Sequence, residues 1–200
     1  MRRHVMAALA RCYSLQRLGR SLGAKALLAL LLSSVIGSAT TAAPPATEHE
    51  VKAAMLYRVA KFIDWPAQSF ASPGAPFVIC VAGNASVLRA FAPLDGRKLN
   101  GHIVTVRRVS GDMLDLRQCH AAFFPRDSIT DADYALSKLQ GMPVLTVGEV
   151  EDFALRGGML ALLTRDQRVH FSFNLPVSKQ AGLVVSAQLL QLATVVGGAP

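Results

Sequence analysis

At 200 residues the chain has room for one ordinary domain, with or without a leader. It is 52% hydrophobic with a formal net charge of +8, but residues 1–25 hold six of the 21 basic residues and no acid, so the remainder carries 15 basic against 13 acidic residues, a net charge of +2. With no Lys/Arg run there longer than the pairs Arg97-Lys98 and Arg107-Arg108, this balance excludes nucleic-acid binding.

The basic stretch (Arg2, Arg3, Arg11, Arg17, Arg20, Lys25) is followed by an 11-residue apolar run, Ala26 to Ile36, and then by small residues from Gly37 to Ala43. This is the order of a secretory signal peptide, and the run is short of the ~20 residues that anchor a helix in a bilayer. Cleavage is expected after Ala39 or a few residues later; an uncleaved anchor is the alternative. The expected division is a leader at 1–39, a tether at 40–47 containing Pro44-Pro45, and one domain at 48–196. Cys12 leaves with the leader, and Cys80 and Cys119 remain. In an oxidising compartment an even pair is expected to form a disulfide, which on the chain-entropy model adds ~4 kcal/mol; two buried thiols are the alternative.

The domain opens with a helix. Thr47 and Glu50 have the spacing of a capping box. Val51, Met55, Val59 and Phe62, widened by Leu56 and Ile63, form its apolar stripe, and Trp65-Pro66 is expected to end it. Residues 77–83 (FVICVAG) read as a buried strand, and a short helix starts at Asn84-Ala85-Ser86 and runs through Phe91. Turn signals at Asp95-Gly96 and Asn100-Gly101 precede an alternating strand at 103–109. Residues 119–125 form a second buried strand. A helix follows at 127–140, with Tyr134, Leu136 and Leu139 inward, and a third buried strand lies at 143–147. Residues 149–155 read as a short helix. Strands at 159–164 and 168–174 make a hairpin around Arg165-Asp166-Gln167. A helical turn at 176–181 ends at Gly182, and Ser186 caps a last helix at 187–195. Strands alternating with helices imply an α/β fold: a single three-layer domain with a mostly parallel central sheet flanked by helices, closed by a C-terminal antiparallel hairpin.

Catalytic motifs are missing from this pattern. It contains no G-x-S-x-G, H-E-x-x-H, C-x-x-C or Walker loop. His49, His102, His120 and His170 lie at no metal-ligand spacing, and His120, beside a buried strand, reads as a satisfied core group. Glu149, Glu151 and Asp152 read as the exposed, solvated start of a helix. No cofactor and no metal is expected. Three loops follow buried strands at Gly83-Asn84-Ala85-Ser86, Arg126-Asp127-Ser128 and Gly148-Glu149. In a parallel sheet they share the carboxyl edge, where such folds bind ligands. Gly83, Asn84, Ser86 and Ser128 are therefore candidate ligand contacts, the alternative being a tight turn with a capping serine. In the strand at 168–174, Val169, Phe171 and Phe173 alternate with His170, Ser172 and Asn174. One face packs and the other is polar, which places this strand near a sheet edge. His170, Ser172 and Asn174 are the candidate partner contacts, and the helix carrying Tyr57, Arg58 and Lys61 is the next choice.

Several segments resemble the YfiR family of periplasmic regulatory proteins: KAAMLYRVAKFIDWP (52–66), ICVAG (79–83), CHAAF (119–123), VLTV (144–147), FALRGGM (153–159), RVHFSFN (168–174) and LLQLA (189–193). The resemblance implies a non-enzymatic inhibitor. Such a protein binds the periplasmic sensor region of an inner-membrane diguanylate cyclase or a related receptor, is sequestered by an outer-membrane lipoprotein, and can dimerise. Its output would be control of cyclic-di-GMP synthesis and biofilm growth. Cys80 and Cys119 match a family disulfide. A second cysteine pair of some members is missing, and Ser172 stands where the family would place an acid. A small-ligand sensor using the carboxyl-edge loops is the other functional class compatible with these residues.

Overall fold

The computed structural model describes residues 45–109 and 115–197; the expected leader and residues 40–44 of the tether lie outside these residues. In chain order the elements are α1 (Glu48–Ala60), β1 (Ile63–Asp64), β2 (Phe77–Ala82), α2 (Ala85–Phe91), β3 (Lys98–Leu99), β4 (His102–Val109), β5 (Ala121–Phe124) and α3 (Ile129–Leu139). Then come β6 (Leu145–Gly148), β7 (Leu160–Arg165), β8 (Arg168–Asn174), α4 (Leu175–Gln180), β9 (Val184–Val185), α5 (Ala187–Leu192) and β10 (Thr194–Val196). Eight strands form one sheet in the order β10-β8-β7-β6-β5-β2-β4-β3, and β1 pairs with β9 separately. All neighbours in the large sheet are parallel except the β7–β8 hairpin and the β3–β4 pair. This is the expected three-layer α/β architecture. Among the described residues no helix is long and apolar enough to cross a membrane.

Alternation along the central strands feeds two cores. Phe77, Ile79, Val81, Phe123, Leu145, Val147, Leu160 and Phe173 point to one face, where α1, α2 and the 181–193 stretch cover them. Val78, Cys80, Ala122, Phe124 and Ala161 point to the other, against α3 and the 149–157 turn. A period-2 strand buried on both sides reads as an unbroken apolar run, as β2, β5 and β6 do. Cys80 on β2 and Cys119 just before β5 are bonded, with Cα atoms 5.9 Å apart, inside the range that a disulfide spans.

Tertiary pairing alters several local expectations. The Thr47–Glu50 capping box forms, but α1 ends at Ala60, well before Trp65-Pro66. The chain leaves the helix there because Ile63–Asp64 finds a strand partner in Val184–Val185, and Ser186 N donates to Phe62 O. The buried stripe is rotated as well. Lys52, Ala53, Leu56, Tyr57, Val59 and Ala60 are inside, while Val51 and Phe62 are exposed. In α3 the inner face is Ala132, Ala135, Leu136 and Leu139, whose small residues let the helix lie close to the sheet; Tyr134 points to solvent under the Lys138 ammonium. Residues 149–155 form successive turns rather than a helix. The Phe153 ring lies against Gly148 and Gly158, where a Cβ would come within 2.3 and 2.2 Å of it. The last helix stops at Leu192, and the β-branched Thr194–Val196 joins the sheet beside β8.

Candidate functional site

The layer on the second face is narrower than the sheet it covers. It consists of α3 and the 149–157 turn, which together pack over β2, β5 and β6 and reach Ala161 on β7. Farther along, Leu163 of β7, His170 and Ser172 of β8, and Thr194 and Val196 of β10 line an open groove of about 490 Å³. Its other wall is Glu151 and Leu155, and the Arg165 guanidinium donates to Glu151 across the rim. Leu155 is 69% exposed, a leucine held at a tight turn with its side chain in water. The register explains the composition: Leu163 faces His170 and Ala161 faces Ser172 across the hairpin. Asp166 and Gln167 turn the hairpin with φ of 49° and 59°, the left-handed pair that a two-residue connection requires.

Two of the three expected partner contacts therefore share one groove. The third, Asn174, does not belong to it. Asn174 is buried, its Nδ2 donates to Ala154 O (2.7 Å), and its Oδ1 accepts from Val177 N (3.2 Å) to cap α4. The β8 strand is next to the edge rather than at it, because β10 pairs with Ser172–Asn174. Alternation alone gave all three residues one role; the position of the β10 strand and the α4 cap separates them.

The carboxyl edge of the sheet holds a second, charged feature. From β2 the chain crosses by α2 to β4 on one side, and from β5 by α3 to β6 on the other, so the β2 and β5 loops diverge at a topological switch point. The crevice there, about 690 Å³, is lined by Asn84 and Val87 from one loop and by Pro125, Arg126 and Asp127 from the other. Glu48, His49 and Lys52 of α1, with Glu149 and Thr164, complete the wall. Lys52 and Glu149 are both buried, with Nζ 3.1 Å from Glu149 Oε1 and 2.5 Å from Glu48 Oε1. Glu149 Oε2 accepts from Arg126 N (3.1 Å). His49 Nε2 lies 3.4 Å from Glu149 Oε1, an oxygen that is close to both this nitrogen and the Lys52 ammonium but in hydrogen-bond geometry with neither. The Lys52 ammonium, helped by the Thr164 hydroxyl, holds the Glu48 carboxyl below its ordinary range.

Of the expected ligand contacts only Asn84 lines this crevice, and its Oδ1 is spent on the amides of Ser86 and Val87. Asn84 thereby caps α2, and those amides make no free cradle for an anion. Gly83 packs on Pro125 and Val87, Ser86 is exposed, and the Ser128 side chain makes no capping bond to α3. The acidic trio is also divided. Glu149 is buried against Lys52, whereas Glu151 pairs with Arg165 and Asp152 with Arg156. A lysine at a helical position gives no local sign that it will be buried, so Lys52 was invisible to pattern reading; Glu48 is only four residues away, but the buried carboxylate that meets it, Glu149, lies almost a hundred residues on. Among the described residues no cluster of three or more His, Cys, Asp or Glu side chains could hold a metal ion.

A family model described as YfiR/HmsC-like matches residues 49–194, which takes in nearly all of both cores and every lining residue of the groove and crevice except Val196 and Glu48. The chain belongs to the YfiR/HmsC-like family. It is a regulatory, non-catalytic, periplasmic family, and at that level it acts on membrane diguanylate cyclases. No curated protein matches the chain.

Proposed function

We propose that this chain is exported by its 1–39 leader and acts as a regulator that binds the periplasmic region of a membrane-anchored diguanylate cyclase and represses it. The domain, 48–196, works without a cofactor. The groove beside β8 is the surface through which it acts. The observation that carries this reading is the half-covered second face: an exposed Leu155 and a partly covered Leu163 sit beside His170 and Ser172, an apolar floor with a polar rim, the composition of a protein-binding patch. An outer-membrane lipoprotein would relieve repression by competing for the inhibitor, and a dimer would present two such grooves.

The test is binding between the purified exported domain and the periplasmic region of the membrane cyclase encoded beside its gene. Saturable 1:1 binding that Leu155→Asp abolishes supports the reading. A neighbourhood without any membrane-spanning cyclase or kinase, or binding indifferent to Leu155→Asp, removes its basis. The switch-point crevice supports a second reading, a small-ligand sensor. A ligand at 100 times its Kd would raise stability by ~2.7 kcal/mol; a thermal-shift screen of nucleotides and amino acids with no response would end that idea.

A further inference from the structure

At the amino edge of the sheet, opposite the crevice, the segment 65–76 crosses from β1 to β2. Two histidines hold it. His120, buried just before β5, has both ring nitrogens engaged: Nδ1 accepts from Val78 N (3.0 Å), and Nε2 lies 3.1 Å from Ser69 O. A backbone N–H can only donate, so Nδ1 presents its lone pair, and Nε2 carries the proton given to Ser69. The ring is thereby held neutral. Phe70 of the segment is stacked between this ring (4.4 Å) and His102 (3.8 Å, planes 6° apart). His102 Nδ1 sits 2.6 Å from Ala75 O at the far end of the segment, and Trp65 Nε1 donates to His120 O (3.1 Å) at the near end.

We propose that residues 65–76 are a strap latched by neutral His120, and that protonation of His120 releases it from the sheet edge. A proton on Nδ1 would set one N–H against another at Val78 and leave a cation in a buried, aromatic pocket formed by Phe70 and Phe77; the ring must then turn out of this socket, and because it is rigid the turn takes Nε2 off Ser69 and breaks the stack on Phe70, although the Ser69 carbonyl alone would favour the charged ring. His102 differs: its partner is the Ala75 carbonyl, which can only accept, so Nδ1 donates there and that bond does not depend on a free lone pair. The titratable groups around the latch are His102 across Phe70 and Asp64, which lines the small cavity below Phe70 and His102. The His120 ring's described contacts are Ser69, Phe70, Phe77 and Val78. Burial, reinforced by the charge His102 can carry, pushes His120 below the ordinary histidine range, against the opposing pull of the Ser69 carbonyl. The closed strap also buries the Ser69 hydroxyl oxygen without a hydrogen bond, so closure depends on the latch rather than on full polar satisfaction. The released ring has an ordinary affinity for protons and the latched ring a lower one, so acid favours release. Below the ordinary histidine value the open-to-closed ratio rises about tenfold per pH unit until the latched ring itself titrates. An exported protein meets the pH of its surroundings, so this inference rests on export but not on the identity of the partner.

Trp65 is the sole tryptophan of the chain and sits on the strap in edge contact with Phe77 (4.8 Å). Its emission reads the latch directly. The exported protein, titrated from pH 7.5 to 4.5, is expected to show a reversible shift of Trp65 emission to longer wavelength below the ordinary histidine value, while far-UV circular dichroism stays native. Nuclear magnetic resonance of the His120 ring should give the same midpoint. His120→Asn, whose Oδ1 can still accept from Val78 N but which cannot take up the proton, should give a Trp65 emission that does not change with pH across the range. Phe70→Ala should be open already at pH 7.5. Emission that stays constant while the protein remains folded would overturn the latch, as would a transition that persists in His120→Asn or a His120 midpoint separate from that of Trp65. The wild-type fluorescence and resonance measurements decide the matter even if His120→Asn fails to fold.

Discussion

The two faces of the sheet are built to different extents. On the first, α1, α2 and the 181–193 stretch cover the strands from β4 to β8, and the large apolar side chains that these strands point to that face are buried or partly buried, whereas Ile103 of β4, on the opposite face, is exposed. On the second, one helix and a turn stop at Ala161, and the hairpin beyond them meets solvent through Leu163, His170 and Ser172. A protein that needed only to be stable would extend the second layer. Leaving it short costs apolar burial of ~25 cal/mol per Å² and keeps a surface free for another molecule. The first face thus sets stability and the open part of the second is free to serve recognition, so substitutions should divide the same way.

The largest expected effect is at the edge of the closed face. Lys52→Met leaves the buried Glu149 carboxylate without its ammonium and should destabilise the domain by ~3–5 kcal/mol in urea denaturation, while Lys52→Met with Glu149→Leu should recover most of that loss. Equal destabilisation in single and double variants would show that the pair is not the unit. Next comes the covered half of the second face. Cys80→Ser opens the link to Cys119 and should cost ~2–5 kcal/mol, with lower periplasmic yield; two free thiols in non-reducing mass spectrometry of the native protein would remove that expectation. Gly158→Ala drives a methyl group into Phe153 and should cost ~1–3 kcal/mol, because the atoms it meets include the Phe153 carbonyl as well as the ring. On the open half, Leu155→Ser should stay within ~0.5 kcal/mol of the native protein. A loss as large as that of Gly158→Ala would mean that Leu155 packs, and the two halves would no longer differ.

The same division marks what could be read before the fold was known. Continuous apolar runs at β2, β5 and β6 and the turn at Asp166-Gln167 declare themselves locally, and so do the caps Thr47 and Ser186, because each depends on neighbours a few residues away. The burial of Lys52, the inward turn of Asn174 and the strand at Thr194–Val196 depend on partners tens of residues distant, and local propensity favours other outcomes for each. The groove beside β8 fell between these cases. The alternation in β8 picked out His170 and Ser172 correctly as neighbours on one face, but Leu155 and Leu163 enter only through the turn that Phe153 holds in place and through the hairpin register. The latch was half legible: His120 read as a satisfied core histidine, as its two hydrogen bonds bear out, while its strap could not be seen until Ser69 and Phe70 were placed against it.

The central claim is that the open half of the second face represses a membrane cyclase. Ser172 is partly exposed at its centre and pairs with Ala161 across the hairpin, so Ser172→Lys should fold with a stability change of no more than ~0.5 kcal/mol while placing a long cation across the groove. The measurement is cellular cyclic-di-GMP in a strain whose own copy is replaced by Ser172→Lys, with periplasmic abundance and melting temperature checked alongside. The account predicts cyclic-di-GMP as high as in a strain lacking the protein, at native abundance and nearly native melting temperature. Full repression by the stable, exported variant would contradict it and move the interface to the helix face bearing Tyr57, Arg58 and Lys61.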